Sequence, residues 1–307
     1  MQTISVKKQR SLNTPLLKGY RGRFAPSPSG FLHFGSLIAA LASFLDAKSH
    51  QGQWLVRLED IDPPREQQGA SSAILKTLEA FGLHWDETEL YQSKRSQLYR
   101  EVLSDLNQQK ITYHCQCNRA SIKSLGGIYQ GHCKTLVLPA DKSAVRVINS
   151  VGINSFTDLI QGNIHCNKAL AQEDFILLRK DGLFAYQLAV VVDDICQNIN
   201  HVIRGCDLIE PTARQLSLFT LLHQQAPQYG HVPLAITTDG YKLSKQNKAP
   251  AIDNKNPQGA LIAALIFLGQ QPPSELVSYS VNDIIQWAII HWQRQQIPTK
   301  REIIFDQ

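Results

Sequence analysis

The chain lacks any long apolar run. Its longest, Ala260 to Leu268, falls far short of a bilayer span, and the N-terminus has no apolar signal core, so neither a membrane protein nor a secreted one is expected. Cysteine is scarce, with six in 307 residues, and the spacing is not that of a disulfide scaffold. Three of the six cluster, which suits a reducing cytoplasm. Acidic residues are missing from residues 1–20, where Lys7, Lys8, Arg10 and Lys18 read as a basic tail. There is no internal repeat and no low-complexity segment. What remains is the composition of a globular protein, 43% hydrophobic and 19% charged. A net charge of +5 permits an RNA partner without demanding one. The length suits two domains, or one large domain with an insertion.

The most informative stretch is Arg23-Phe24-Ala25-Pro26-Ser27-Pro28-Ser29-Gly30-Phe31-Leu32-His33-Phe34-Gly35-Ser36. It reads as a strand end, a loop and a helix start, because Leu37, Ile38, Leu41, Phe44 and Leu45 follow at helical spacing. Backbone N–H groups at such a junction attract an anion. Gly35 lets a flat ligand approach the backbone, and His33 offers a ring N–H to a phosphate. Some two hundred residues on, Tyr241-Lys242-Leu243-Ser244-Lys245-Gln246 places two lysines three apart around a serine. A helix start and a lysine loop together suit adenylation of a carboxylate, where negative charge builds on phosphate and must be met by fixed dipoles and cations.

Between these stretches the chain alternates strand and helix. Trp54 to Leu58 reads as a strand ended by Pro63-Pro64, with Glu59, Asp60 and Asp62 at its C-terminal edge, where ligands bind in doubly wound sheets. Residues 66–82 and 93–109 read as amphipathic helices. Ala144–Ile148 and Asn154–Asp158 read as short strands, and Asp174–Leu188 as a hairpin about Asp181-Gly182. His201–Gly205 reads as a core strand, 211–225 as a helix with Pro211 at its first position, and His231–Ile236 as a final strand. Beyond residue 256 the pattern is helical around 257–268 and 281–294.

Cys115 and Cys117, then Cys133, suggest a structural zinc ion, which prefers thiolates and takes four ligands in a closed site. Chemistry alone leaves the fourth open. His114 and His132 are the ordinary choices, although His132 adjoins Cys133, a strained spacing for chelation.

The two signature stretches resemble the HIGH and KMSKS motifs of class I aminoacyl-tRNA synthetases, in the glutamyl/glutaminyl branch. With the CxC pair and the short chain, the resemblance over residues 21–255 is closest to the glutamyl-Q tRNA(Asp) synthetase family. The chain departs from the idealised signatures at Phe34, Ser36, Leu243 and Gln246. The resemblance implies an α/β fold: a Rossmann-like doubly wound parallel sheet, an inserted zinc-bearing subdomain, a small helical C-terminal region and no anticodon-binding domain. The expected parts are the tail at 1–20, catalytic halves at 21–112 and 174–255, the insertion at 113–173 and a helical region at 256–307. It further implies a glutamate pocket of Arg23, Phe24, Ala25, Pro26, Ser27, Glu59, Tyr186 and Arg204. Glu59 would take the amino group, and Arg204 would select glutamate over glutamine. A strand-end ion pair with Asp207 is the plain structural alternative for Arg204. ATP with Mg²⁺ would meet His33, Gly35 and Lys245, with His33, Lys242 and Lys245 as catalytic groups. Cys115, Cys117, Tyr129 and Cys133 would hold one Zn²⁺. The implied activity is tRNA-independent activation of L-glutamate and its transfer to queuosine 34 of tRNA(Asp), by a cytoplasmic monomer. The alternatives are a truncated glutamyl-tRNA synthetase charging a 3′ end and a non-catalytic zinc-stabilised RNA-binding protein.

Overall fold

The computed structural model describes residues 19–124, 126–241 and 250–305. Lys242, Lys245 and most of the basic tail therefore lie outside the described residues. The first strand, β1 (Arg21–Phe24), runs through the Pro/Ser/Gly loop into helix α1 (Phe34–Ser49), and β2 (Gln53–Leu58) returns parallel to β1, from Arg21 opposite Gln53 to Phe24 opposite Val56. Helix α2 (Ala70–Ala80) leads to the short β3 (Leu90–Tyr91), parallel to β2, and α3 (Ser96–Gln108) follows.

The middle of the chain changes style. β4 (Thr112–Cys115), helix α4 (Arg119–Ser124) and β5 (Ala144–Val147) are followed by the hairpin of β6 (Ser155–Asp158) and β7 (Gly162–His165). One turn of helix, α5 (Lys168–Ala171), precedes β8 (Ile176–Leu178). These strands pair antiparallel, β4 with β5, β5 with β8, and β6 with β7.

Parallel pairing then resumes. Helix α6 (Tyr186–Cys196), β9 (His201–Gly205), helix α7 (Ile209–Leu221) and β10 (Gln228–Val232) form a second βαβ unit with β9 parallel to β10. The short β11 (Leu234–Ile236) is followed by helices α8 (Pro257–Phe267) and α9 (Val281–His291) and by β12 (Glu302–Ile304), which pairs parallel with β11. Where one doubly wound sheet is expected, the parallel ladders among the described residues fall into three groups. β1 and β9 still lie side by side. The Asn200 N–H donates to the Arg21 carbonyl at 3.1 Å, and the Arg21 N–H donates to Asn200 Oδ1 at 2.8 Å. The strands are tied at their starts, and residues from their C-terminal ends line a cavity.

α1 is the central packing element. Leu37, Ile38, Leu41, Phe44 and Leu45 are all buried in the main core, against β1, β9, α8 and α9. Each contributes about 1.5–3 kcal/mol by leaving water. The same helix buries Asp46, which accepts from Arg294 Nε (2.8 Å) and Nη2 (2.9 Å), from Trp292 Nε1 (3.0 Å) and from the Tyr20 hydroxyl. This single carboxylate clamps the C-terminal segment to the first helix.

Several sequence expectations need correction. The return arm of the 174–188 hairpin is a single bridge, Leu178 to Phe184; the chain turns into α6 at Tyr186 instead. Pro211 is the third residue of α7, not the first, and is tolerated because first-turn N–H groups have no helical partner anyway. The strand expected over 231–236 is two, parted at Pro233, which has no N–H to continue a ladder. β12 lies in a region read as helical.

Candidate active site

A cavity of about 640 Å³ opens at the C-terminal ends of β1, β9 and β10. It is lined by Arg23, Phe24, Ala25, Pro26, Ser27, His33, Gly35, Glu59, Tyr186 and Arg204, which are all the glutamate- and ATP-site residues expected within the described range. A second cavity of about 660 Å³ adjoins it and shares Ser27, Ser29, Glu59, Arg65 and Tyr186.

One side of the first cavity is the start of α1. His33 is the N-cap, with extended backbone (φ −116°, ψ 173°), and its Nδ1 accepts from the Ser36 N–H at 3.3 Å. That bond leaves the ring proton on Nε2. The N–H of Ile252 donates to the Leu32 carbonyl at 3.0 Å and pins the loop from the other side.

The opposite side is a buried ionic cluster. Arg23 Nε and Nη2 donate to the two oxygens of Asp194 at 3.2 Å each, and Arg57 Nη2 reaches Asp194 Oδ1 at 2.7 Å. Burial alone would lower the Arg23 pKa; Asp194 outweighs it and raises the value. Burial would likewise raise the Asp194 carboxyl, but the two guanidinium groups hold it below its ordinary value. The neighbouring Asp193 accepts from Gln92 Nε2 (2.8 Å), Arg95 Nε (2.5 Å) and the Tyr99 hydroxyl (2.7 Å). The sequence reading gave Asp193 and Asp194 no role. The available signal was two adjacent acids inside the apolar run Leu188–Ile195, which only cations could make tolerable.

Glu59 stands beside this cluster with little compensation. Its Oε1 is buried without a hydrogen bond, and Arg57 Nη2 is 3.8 Å away. Burial pushes its pKa up to about 7 in spite of Arg57 and Arg23. A buried carboxylate oxygen at a cavity wall, with no hydrogen bond among the described residues, suits a cationic ligand group. The other two acids of the motif are spent on structure. Asp60 accepts from the Ser93 N–H (2.8 Å) and hydroxyl (2.6 Å); Asp62 pairs with Arg65 (2.6 Å) and Arg179 (3.0 Å).

Arg204 is buried at the end of β9. Its Nε donates to His231 Nε2 at 3.1 Å, and its Nη2 to Thr212 Oγ1 (2.6 Å), Gln215 Oε1 (2.8 Å) and the Leu208 carbonyl (3.3 Å). Nη1 makes a long contact of 3.4 Å to the Tyr186 hydroxyl, and the guanidinium lies 4.8 Å from the centre of the Tyr229 ring. Every one of these partners is neutral, so among the described residues the hydrogen bonds of Arg204 include none to a carboxylate, Asp207 included. Tyr186, at the first turn of α6, lines both cavities.

Farther off, the sulfur atoms of Cys115, Cys117 and Cys133 lie within 4.8 Å of one another, and those of Cys117 and Cys133 are 3.5 Å apart. The donor set fits zinc. His114 and His132 fall outside this group. Tyr129 is buried in the same cluster, its hydroxyl accepting from the Cys133 N–H at 2.9 Å, with Arg146 stacked 3.7 Å from its ring centre. The isolated Cys166 is buried in another cluster, as expected of a core residue.

Comparison with known proteins agrees with this architecture. Residues 20–277 match the family model of the class I tRNA synthetases (E and Q), catalytic domain. The chain is 64% identical over 317 residues to the glutamyl-Q tRNA(Asp) synthetase of Colwellia psychrerythraea, covering 100% of both chains. It is 54% identical over 279 residues to that of Escherichia coli K12, covering 91% of each. Among solved structures, the glutamate tRNA ligase of Elizabethkingia meningosepticum superposes with a TM-score of 0.76 at 23% identity, over 92% of this chain and 66% of that longer one. The Elizabethkingia anophelis enzyme gives 0.77 at 23% identity, over 94% and 68%. These two share the fold. The chain belongs to the class I E-and-Q tRNA synthetases and, within them, to the glutamyl-Q tRNA(Asp) synthetase family of ligases.

Proposed function

We propose that the protein joins L-glutamate and ATP, with Mg²⁺, into glutamyl-adenylate without needing tRNA, and then passes glutamate to the queuosine base at position 34 of tRNA(Asp). The observation that carries this reading is the pairing, in one cavity, of a buried arginine hydrogen-bonded to neutral groups and a buried carboxylate oxygen that lacks a hydrogen bond among the described residues. Arg204 takes the side-chain carboxylate of glutamate, with Tyr186 beside it. Glu59 takes the ammonium. Arg23, held by Asp194, turns its remaining edge and the backbone of residues 24–27 to the α-carboxylate.

That carboxylate is the nucleophile, so no side chain has to attack. One of its oxygens bonds to the α-phosphorus as the bond to pyrophosphate breaks. His33 Nε2–H and the N-terminus of α1 face the growing phosphate charge, and Lys242 and Lys245 supply the opposing cations. The second cavity, beyond Glu59 and Tyr186, gives the acceptor hydroxyl its route to the activated carbonyl. Cys115, Cys117, Cys133 and Tyr129 hold one Zn²⁺, which acts as a structural cross-link of the insertion.

The test is glutamate-dependent ATP–pyrophosphate exchange, with glutamine and aspartate as controls. Exchange with glutamate alone, and none with the other two, is expected without tRNA. Transfer is then read on tRNA(Asp) lacking its 3′-terminal adenosine and on queuosine-free tRNA(Asp). Acceptance by the first and not the second is expected. The reverse would replace the proposal by charging of a 3′ end, and no exchange by folded protein would replace it by a non-catalytic role.

A further inference from the structure

Arg204 does not orient itself. Its Nε–H needs an acceptor, and the one present is His231 Nε2 at 3.1 Å. An imidazole nitrogen accepts only if the ring proton sits on the other nitrogen. Asp158 Oδ2 lies 2.6 Å from His231 Nδ1 and holds the proton there. Its Oδ1 accepts from the backbone N–H groups of Ile160 (3.0 Å), Gln161 (2.8 Å) and His231 (3.0 Å), so the carboxylate itself is fixed. Thr212 Oγ1 also lies 3.2 Å from His231 Nε2, but its hydroxyl hydrogen goes to the Leu208 carbonyl at 2.7 Å, which leaves Arg204 as the donor to that nitrogen. Both Asp158 and His231 are buried. Burial lowers the His231 pKa, which keeps the ring neutral and able to accept.

The geometry points to Asp158 and His231 as positioning residues that set the hydrogen-bond direction on Arg204, and thereby the glutamate selectivity of the site. His231 fixes the Nε edge, while Thr212 and Gln215 fix Nη2. The guanidinium plane is then set, with Nη1 left for the ligand. Asp158 belongs to β6, in the antiparallel middle of the chain, so that segment reaches the amino-acid pocket through two hydrogen bonds. The inference rests on the reading that Arg204 takes the substrate carboxylate.

Asp158→Asn tests it. The amide oxygen can keep the three backbone bonds, while the amide N–H₂ faces Nδ1 and drives the ring proton to Nε2, against the Arg204 Nε–H. In ATP–pyrophosphate exchange the KM for glutamate should rise roughly tenfold to a hundredfold, the span of a lost hydrogen bond to a charged group. The KM for ATP should stay within about twofold. ¹⁵N NMR of His231 should show the proton on Nδ1 in the wild type and on Nε2 in the variant. His231→Gln, whose carbonyl can accept from Arg204, should retain most glutamate affinity, and His231→Leu should lose it. Two results would overturn the inference: a wild-type ring protonated on Nε2, or equal glutamate binding by the Gln and Leu variants in calorimetry at equal melting temperature. If wild-type protein bound no glutamate, the proposed function would fail first, and the selectivity inference with it. The NMR tautomer would separately decide whether the Asp158–His231–Arg204 relay exists.

Discussion

Arg23 and Arg204 sit at the ends of neighbouring strands and line the same cavity, yet they are held in opposite ways. Arg23 is bound through two nitrogens to Asp194, a carboxylate it shares with Arg57. Arg204 is bound to an imidazole, a hydroxyl, an amide and a carbonyl. A guanidinium tied to a carboxylate offers a ligand mainly its shape and its remaining N–H edge. One steered only by dipoles keeps its charge for whatever enters. The difference is one of partners: an ionic one fixes Arg23, and neutral ones fix Arg204.

The largest effect should come from Arg204→Ala. Losing a desolvated charge pair typically costs about 2–5 kcal/mol, so kcat/KM for glutamate in the exchange assay should fall by roughly 10²–10³ or more, with the KM for ATP almost unchanged. Lys245→Ala should do the converse and weaken ATP use. If both variants kept wild-type kinetics for both substrates, the pocket would be misplaced. Asp194→Asn should act on the framework instead. It removes the counter-charge shared by Arg23 and Arg57, and urea midpoints should report a loss of about 3 kcal/mol.

Glu59 sharpens the comparison from the acidic side. Its folded pKa of about 7 lies above the ordinary 4.5, so the folded protein binds the extra proton between those values. Stability therefore falls as pH rises through that window, and the full cost is present above about pH 7. Glu59→Gln should relieve it and raise the unfolding free energy from urea melts at pH 8 by about 1–2 kcal/mol, while the gain vanishes near pH 4. The same variant should bind glutamate more weakly. For the wild type, the KM for glutamate should rise as pH falls below about 7, because a protonated Glu59 has no charge to offer an ammonium. The smallest catalytic effect should follow chelation or Cys133→Ala. Exchange should stay within about twofold, while proteolysis around residues 113–135 should quicken as the cross-link is lost.

The legible part of the fold was the part with strong periodicity or punctuation. α1 announced itself through Leu37, Ile38, Leu41, Phe44 and Leu45, and the cavity residues of the first motif fall together because strand, loop and helix start are contiguous in sequence. The place of Arg204 at the end of a core strand was legible, and the family resemblance pointed to Arg204 and Tyr186 together; both line the cavity. What stayed hidden was pairing at long range. Nothing near Asp158 says that it will face His231, 73 positions away, and nothing near Arg23 names Asp194, 171 positions away. The break at Pro233 could have been read, since proline cannot extend a ladder. β12 was harder, being three residues whose pairing partner, β11, lies 68 positions earlier at Leu234 opposite Glu302.

That last strand has a consequence for how the protein comes into being. The Phe305 N–H donates to the Ile236 carbonyl at 2.8 Å, and its ring stacks on Phe34, 3.9 Å between centres, directly behind His33. The helix start met near the beginning of the chain is thus backed by a residue made some 270 positions later. A nascent chain that stopped short of Phe305 could fold most of the core and still lack the support behind its first motif. The wall formed by the start of α1 is therefore complete only once the segment carrying Phe305 has docked, and Phe305→Ala should loosen that helix start while leaving most of the core in place.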